Sequence, residues 1–218
     1  MIDPDEPELR WDDVLAAHLT PEQRRRLASA RVGLAGAGGL GSNCAVLLAR
    51  SGIGSIVAAD CDVVNLSNLN RQHFLPIHVG RPKVAALAEV LQAVNPCLRL
   101  EPHVLKLDKD NVSVLFAGCD VVVEAVDDAA TKQMVLEVLT RAGVFVVSAS
   151  GIAGWGGPGM RVRRFGDRAV VVGDGMSAVG PGLPPLAPRV MMAAAMQADQ
   201  VLLRLLGPPR AEPGGDHE

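Results

Sequence analysis

Short apolar runs along the chain are separated by stretches whose apolar residues recur at helical spacing. Residues 31–35 (RVGLA) predict a buried strand, 42–51 a helix that stops at Gly52, and 55–60 (SIVAAD) the next strand. Upstream, Thr20-Pro21-Glu22-Gln23 sets an N-cap threonine, a proline at the first helical position and a glutamine at the third. That combination predicts a capping box and a helix through Ala30. A polar loop from Asp62 to Gln72 leads into an irregular stretch ending at Gly80. From Pro82 to Val94, the residues Val84, Leu87, Leu91 and Val94 fall on one helical face. Residues 98–104 (LRLEPHV) alternate in part and predict a strand, and 110–117 predict a short helix. An apolar strand, 120–127 (DVVVEAVD), then runs into two aspartates. It is followed by a helix over 129–142, closed by Gly143, and a strand over 144–150 (VFVVSAS).

The last third changes character. After the glycine-rich residues 151–159, two strand-like runs, 160–165 (MRVRRF) and 168–173 (RAVVVG), flank Gly166-Asp167 and predict a hairpin. A Gly/Pro-rich connection leads to a long helix over 188–206 with Val190, Ala194, Val201 and Leu205 facing inward. Apolar strands alternating with helices imply an α/β fold: a Rossmann-like, doubly wound, mainly parallel sheet covered on both faces, with a C-terminal antiparallel hairpin and a long C-terminal helix. Such sheets hold ligands outside the C-terminal strand ends, where the strand order reverses.

A chain of 218 residues can bury one sizeable core. A single domain over 1–218 is expected, with its core at about 29–207 and flexible ends at 1–10 and 208–218. The formal charge of -3, with four Phe, two Trp and no Tyr, argues against sequence-independent nucleic-acid binding and base-stacking platforms. No apolar stretch approaches a membrane span and the start is acidic, so a cytoplasmic protein without a membrane partner is expected. Cys44, Cys61, Cys97 and Cys119 form no C-x-x-C pair, which implies reduced, packed thiols and no zinc.

Candidate chemistry starts where the first strand ends. Gly36, Gly38 and Gly41 stand as G-x-G-x-x-G between a strand and a helix. The first glycine permits a tight turn, the second lets backbone approach a phosphate, and the third lets the helix pack on the sheet. A helix N-terminus offers free N–H groups and a positive dipole end to an anion. Asp60, 24 residues after Gly36 at the end of the next strand, suits ribose hydroxyls. A glycine turn that serves packing alone is the alternative.

By itself this would be an NAD site. The following loop, however, carries Asn65, Ser67, Asn68, Asn70, Arg71 and Gln72, and Lys83 stands in the first turn of a helix. Hydride transfer needs no such polar and cationic cluster. A lysine at a helix N-terminus opposes the dipole, which a bound anion would explain; a lysine pointing into solvent is the other reading. Asp127-Asp128 ends a strand on the same crevice. One carboxylate with phosphate oxygens is a common Mg²⁺ arrangement, whereas an aspartate there could instead cap the helix from Ala129. Both hold together if Asp128 caps and Asp127 coordinates. Arginine, lysine and Mg²⁺ around a triphosphate point to phosphoryl or nucleotidyl transfer.

GAGGLGSN (36–43), D-C-D-x-V-x-x-S-N-L-N-R-Q (60–72), R-P-K (81–83) and V-V-x-E-A-x-D-D (121–128), in this order, resemble the adenylation domain of ubiquitin-activating-enzyme-like proteins of the ThiF/MoeB type. The resemblance covers about Ser29 to Gly207 and is strongest to short ThiF-type members. It implies that the C-terminal Gly-Gly carboxylate of a small ubiquitin-like sulfur carrier, ThiS-like, attacks the α-phosphate of ATP. An acyl-adenylate and pyrophosphate result, in thiamine or related sulfur transfer. Carried over by position, Gly39 and Gly41 would contact phosphate and Asp60 the ribose. Ser67, Asn68, Leu69, Asn70 and Arg71 would line the triphosphate, Lys83 would stabilise the pentacoordinate α-phosphate, and Asp127 would bind Mg²⁺. Gly36, Gly38, Asp62, Gln72 and Val126 complete the implied nucleotide site, and Arg71, Lys83 and Asp127 are its catalytic set. A carboxylate is already a nucleophile at neutral pH, so positioning and charge stabilisation suffice.

The chain departs from the family pattern in three places. The two C-x-x-C pairs of the usual zinc site are missing, residues 151–187 hold no cysteine, and the N-terminal R-x-x-R-Q element is absent. Adenylation without a covalent thioester or persulfide on this chain is therefore expected, with Arg24, Arg25 or Arg26 as candidates for the missing arginine. Residues 151–159 and the loop from Gly173 to Pro188 would either shape a channel for the carrier's thin tail or serve as plain connections. A homodimer is implied by the resemblance, with the helix over 188–206 as one candidate surface. The competing functions are adenylation of another carboxylate, as in tRNA modification, and an NAD-binding or inactive Rossmann module.

Overall fold

A computed structural model describes residues 10–209, so the expected flexible ends fall almost wholly outside the described residues. Seven strands make one sheet: β1 (Arg31–Ala35), β2 (Ser55–Ala59), β3 (Arg99–His103), β4 (Val121–Glu124), β5 (Val146–Ala149), β6 (Arg161–Phe165) and β7 (Ala169–Gly173). Their order is β3-β2-β1-β4-β5-β7-β6. Every neighbouring pair is parallel except β6 and β7, which form the expected hairpin with Arg163 opposite Val171. The order reverses between β1 and β4, and that crevice is where such a sheet takes its ligand.

The helices are α1 (Trp11–Leu15), α2 (Pro21–Ser29), α3 (Gly39–Arg50), α4 (Lys83–Val94), α5 (Val112–Leu115), α6 (Ala129–Arg141) and α7 (Ala187–Leu206). Residues of α2, α3, α4 and α7 share one core with Val32, Leu34, Val121, Val123 and Val147, whereas α5 and α6 pack on the other face against Ala35, Val57, Val122 and Val146. Layers on both faces account for the unbroken apolar runs in β1, β2, β4 and β5. The cover is incomplete beyond α6. All five residues of β6 are exposed, and a groove of about 690 Å³ lies between α6 and β5–β7–β6, lined in part by Lys132, Leu136, Ser148, Arg163, Phe165 and Val171. The chain spends its last helix, α7, on the opposite face.

Several boundaries shift for local reasons. α3 begins at Gly39, not Ser42, because Gly38 is the N-cap and the Ser42 N–H closes on its carbonyl at 2.9 Å. The helix expected over 110–117 shrinks to four residues. Asp108 accepts the N–H groups of Asp110 and Asn111, both at 2.9 Å, before it begins, and Gly118 at φ +76° follows it. β4 and β5 pair only through Val122–Val146 and Val123–Val147, shorter than the expected runs. Gln197 of α7, fully buried, then bridges them by donating to the Glu124 and Val147 carbonyls at 2.9 and 3.2 Å. The capping box of α2 is present as expected, while α1 was not anticipated.

Candidate functional site

The glycine turn connects β1 to α3. Gly36 has φ +100°, and a side chain there would stand 2.8 Å from the Ala125 carbonyl oxygen, against the turn that follows β4. A Cβ on Gly41 would lie 1.9 Å from the Gly36 oxygen, so α3 seats directly on the turn. Gly38 is different: its nearest neighbour, Gln72 Nε2, would be 3.7 Å away, which leaves the approach to its backbone open. The N–H groups of Gly39, Leu40 and Gly41 precede the first intrahelical bond, so this helix start offers donors to an anion. Asp60, at the end of β2, holds the turn. Its Oδ2 accepts from Ala37 N and its Oδ1 from Asp62 N, both at 2.8 Å.

The polar loop folds onto the start of α3. Asn43 donates to the carbonyls of Gly39 (2.6 Å) and Arg71 (2.8 Å), and the Ser42 hydroxyl accepts from His73 N at 3.0 Å. Arg71 runs beside Gly39 and donates to Ser67 O and to Asn70 Oδ1 at 3.1 and 2.8 Å. Asn68 caps its own 3₁₀ turn by accepting from Asn65 N, and Leu69 packs toward the core. Gln72 is buried beside Gly38 with its Oε1 unpartnered. Lys83 does not point into solvent. Only 9% of its side chain is exposed, and its Nζ lies 2.6 Å from Asp62 and 3.8 Å from Asp60. The hydrogen bond from Lys83 holds the Asp62 carboxyl below the usual carboxylate range despite some burial.

After β4, the expected Asp128 cap is present. Asp128 caps α6, accepting from the N–H and hydroxyl of Thr131, both at 2.7 Å, and those bonds hold its pKa low. Asp127 is exposed and makes no ion pair among the described residues. Val126 is half-buried, and its N–H goes to Glu124 Oε1 at 2.8 Å. The fully buried Glu124 also accepts from Lys132 and from the Ser148 hydroxyl, both at 2.5 Å.

The structure thus gathers the glycines, Asp60, Asp62, Arg71, Gln72, Lys83 and Val126 around one crevice, with Asp127 exposed next in the chain, while Asn68 and Leu69 turn to structural work. Ser42, Asn43 and Glu124 are the pinning residues that sequence reasoning passed over. The Ser-Asn pair directly after Gly41 was the available signal. Of the N-terminal arginines, Arg24 pairs with Asp12 and Arg26 with Asp120, which leaves Arg25 exposed. Packed thiols are found at Cys44 and Cys119, where burial pushes the pKa up to about 12 and about 11. Cys61 and Cys97 are exposed, against expectation, because both lie in connecting segments beyond an element end. The groove of about 690 Å³ beyond α6 is separate from these residues. Among the described residues, no helix is long and apolar enough to cross a membrane.

Known proteins resemble this chain to different extents. The SAMP-activating enzyme E1 of Haloferax volcanii is 38% identical over 138 residues, 62% of this chain and 50% of that protein. Adenylyltransferase and sulfurtransferase UBA4 of Yarrowia lipolytica is 38% identical over 126 residues, 58% of this chain and 32% of that one. The matched stretch therefore spans half or less of these relatives. Among solved structures, Escherichia coli TcdA, a tRNA N6-threonylcarbamoyladenosine dehydratase in complex with AMP, superposes with a TM-score of 0.81 at 22% identity, covering 90% of this chain and 94% of that one. Escherichia coli MccB with ATP gives 0.68 at 24%, covering 84% and 57%. At such identities these two speak for the fold alone. The model of the ThiF family matches residues 13–214, taking in the glycine turn, the polar loop, Lys83 and the end of β4, and the chain belongs to that family.

Proposed function

We propose that the protein uses ATP to adenylate the C-terminal Gly-Gly carboxylate of a small ubiquitin-like sulfur carrier of the ThiS kind, in thiamine biosynthesis. The observation that carries this reading is the set Arg71, Lys83 and Asp127 around the glycine turn, two cations and one unpaired carboxylate beside a helix N-terminus. The relatives named for SAMP activation and for adenylyl and sulfur transfer support a protein acceptor.

In this reading the phosphates rest on the N–H groups of Gly39 to Gly41 and Asp60 faces the ribose. Arg71 balances the outer phosphates, and Lys83 turns from Asp62 toward the α-phosphate as negative charge builds there. The donor set fits a hard cation, since Asp127 alone of the two aspartates is unspent; Mg²⁺ held there would neutralise phosphate charge. The acceptor carboxylate forms a bond to the α-phosphorus, the bond from that phosphorus to the bridging oxygen breaks, and pyrophosphate leaves with the electron pair. No proton moves, so no general base is needed.

The tail would enter between residues 151–159 and the loop 173–188. Ala153 N donates to Ser177 O at 3.0 Å, Gly154 N to Pro184 O at 2.9 Å, and Asn70 joins them by donating to Pro185 O at 3.2 Å. A homodimer is part of the proposal; α7 exposes Met191 and Met192, and the polar loop region exposes Leu66, Leu75 and Ile77.

The test is ATP–pyrophosphate exchange by the purified chain with Mg²⁺ and ubiquitin-like carriers of the same organism that end in Gly-Gly. Exchange that requires the terminal glycine is expected; tight NAD binding with no exchange would sink the reading. A second reading, adenylation of a carboxylate on a modified tRNA nucleoside, is favoured by Arg161, Arg163 and Arg164 exposed along β6. Exchange stimulated by threonylcarbamoylated tRNA and not by carriers would replace the first reading with this one.

A further inference from the structure

One buried ion pair takes no part in the reaction described above. Arg189 stands in the first turn of α7, where a cation opposes the helix dipole. Its Nη2 lies 2.6 Å from Asp174 Oδ2, with 6% and 1% of the two side chains exposed. A pair taken so far out of water contributes little net stability by itself. Its position matters more, because three segments meet at it.

Both Nη atoms of Arg189 donate to the Pro158 carbonyl at 3.3 Å. The guanidinium lies against Gly157, where a Cβ would stand 3.2 Å from Nη1. Asp174 in turn organises its own loop. Its Oδ1 accepts from Met176 N and Ser177 N at 2.7 and 2.8 Å, and its Oδ2 from the Ser177 hydroxyl at 2.5 Å. The next residue of α7, Val190, would meet a Cβ on Gly39 at 3.0 Å. Residues 151–158 and the loop 173–188 therefore meet at one guanidinium, and the residue after it packs on the phosphate turn, with no cysteine between 151 and 187 to join these segments covalently.

We propose that Arg189 is the positioning residue for the acceptor, holding both channel walls against the phosphate turn through Asp174 and Pro158. The inference rests on the channel reading given under the proposed function. Its Nε is buried without a partner, so Arg189's own hold runs through the two Nη atoms, beside the backbone bonds from Ala153 to Ser177 and from Gly154 to Pro184. A lysine would keep Asp174 but could not fork to Pro158 as well.

Hydrogen–deuterium exchange on the full chain, compared among wild type, Arg189→Met and Arg189→Lys, tests this. Arg189→Met is expected to speed exchange roughly 10-fold or more in both 151–159 and 174–183 while residues 31–50 stay protected. Arg189→Lys is expected to loosen 151–159 alone. In carrier-dependent pyrophosphate exchange, Arg189→Met should raise the carrier KM roughly 10-fold and leave the ATP KM within about twofold, with partial rescue by Arg189→Lys. Should Arg189→Met also expose 31–50, the fold is lost and the lysine variant decides. Protection retained in both segments, or an ATP KM that rises with the carrier KM, would overturn the proposal. Wild-type protein without any carrier-dependent exchange would defeat the proposed function, and the segment-by-segment protection would still decide the clasp.

Discussion

At Lys83 two demands compete. Its ammonium is almost buried against Asp62 and Asp60, yet the proposed reaction wants it at a phosphate. In the proposed reaction the resting pair would store the cation near its point of use without leaving it unpaired. Because Asp62 titrates below its unfolded value, its contribution to stability is present above the unfolded carboxylate pKa and is lost as pH falls through the folded one. Lys83→Met should raise the Asp62 pKa toward the ordinary range, read by carboxylate NMR titration, and cut pyrophosphate exchange by ~10²–10³. An unmoved Asp62 would show that the pair is absent in solution. The glycines also separate by role. Gly41→Ala meets the Gly36 oxygen at 1.9 Å and should cost about 3 kcal/mol or more in urea denaturation. Gly38→Ala meets nothing closer than 3.7 Å; it should change stability by less than ~1 kcal/mol while weakening ATP binding.

At the scale of elements, β4 delivers two adjacent aspartates to different tasks because α6 starts where it does. Asp128 is spent on the N-cap, and Asp127 is left exposed and unpaired among the described residues. Asp128→Ala should lower Tm with exchange activity retained, whereas Asp127→Ala should leave Tm unchanged and abolish the Mg²⁺-dependent exchange. The reverse pattern would exchange their roles. The cap's hydrogen bonds lower the Asp128 carboxyl pKa, so its benefit is present above the unfolded carboxylate pKa and should be lost as pH falls through the lowered value. The motif V-V-x-E-A-x-D-D showed which residue types stand at the strand end; which aspartate caps depended on the first turn of α6.

Across the molecule, Glu124 links regions that are far apart in sequence. One carboxylate oxygen pins the turn bearing Asp127 through Val126 N, and the other receives Lys132 and Ser148, which line the groove beyond α6. Lys132→Met would strand this buried carboxylate and should cost roughly 3 kcal/mol by chemical denaturation. The double variant with Glu124→Gln should cost less than the sum of the single changes. Additive losses would mean that the three groups do not act as one network.

Strand and helix identities, the doubly wound sheet, the hairpin and the residues around the glycine turn were legible in the sequence, because each rests on a local rule: apolar period, capping chemistry or glycine spacing. Tertiary structure decided the rest. Whether Lys83 faced solvent or carboxylates depended on Asp60 and Asp62, 23 and 21 residues away. That Asp174 and Arg189 are partners, that Gln197 bridges β4 and β5, and that one sheet face stays open beyond α6 depend on how distant segments pack. Desolvation couples such residues only once the fold has brought them together, so no spacing along the chain records it.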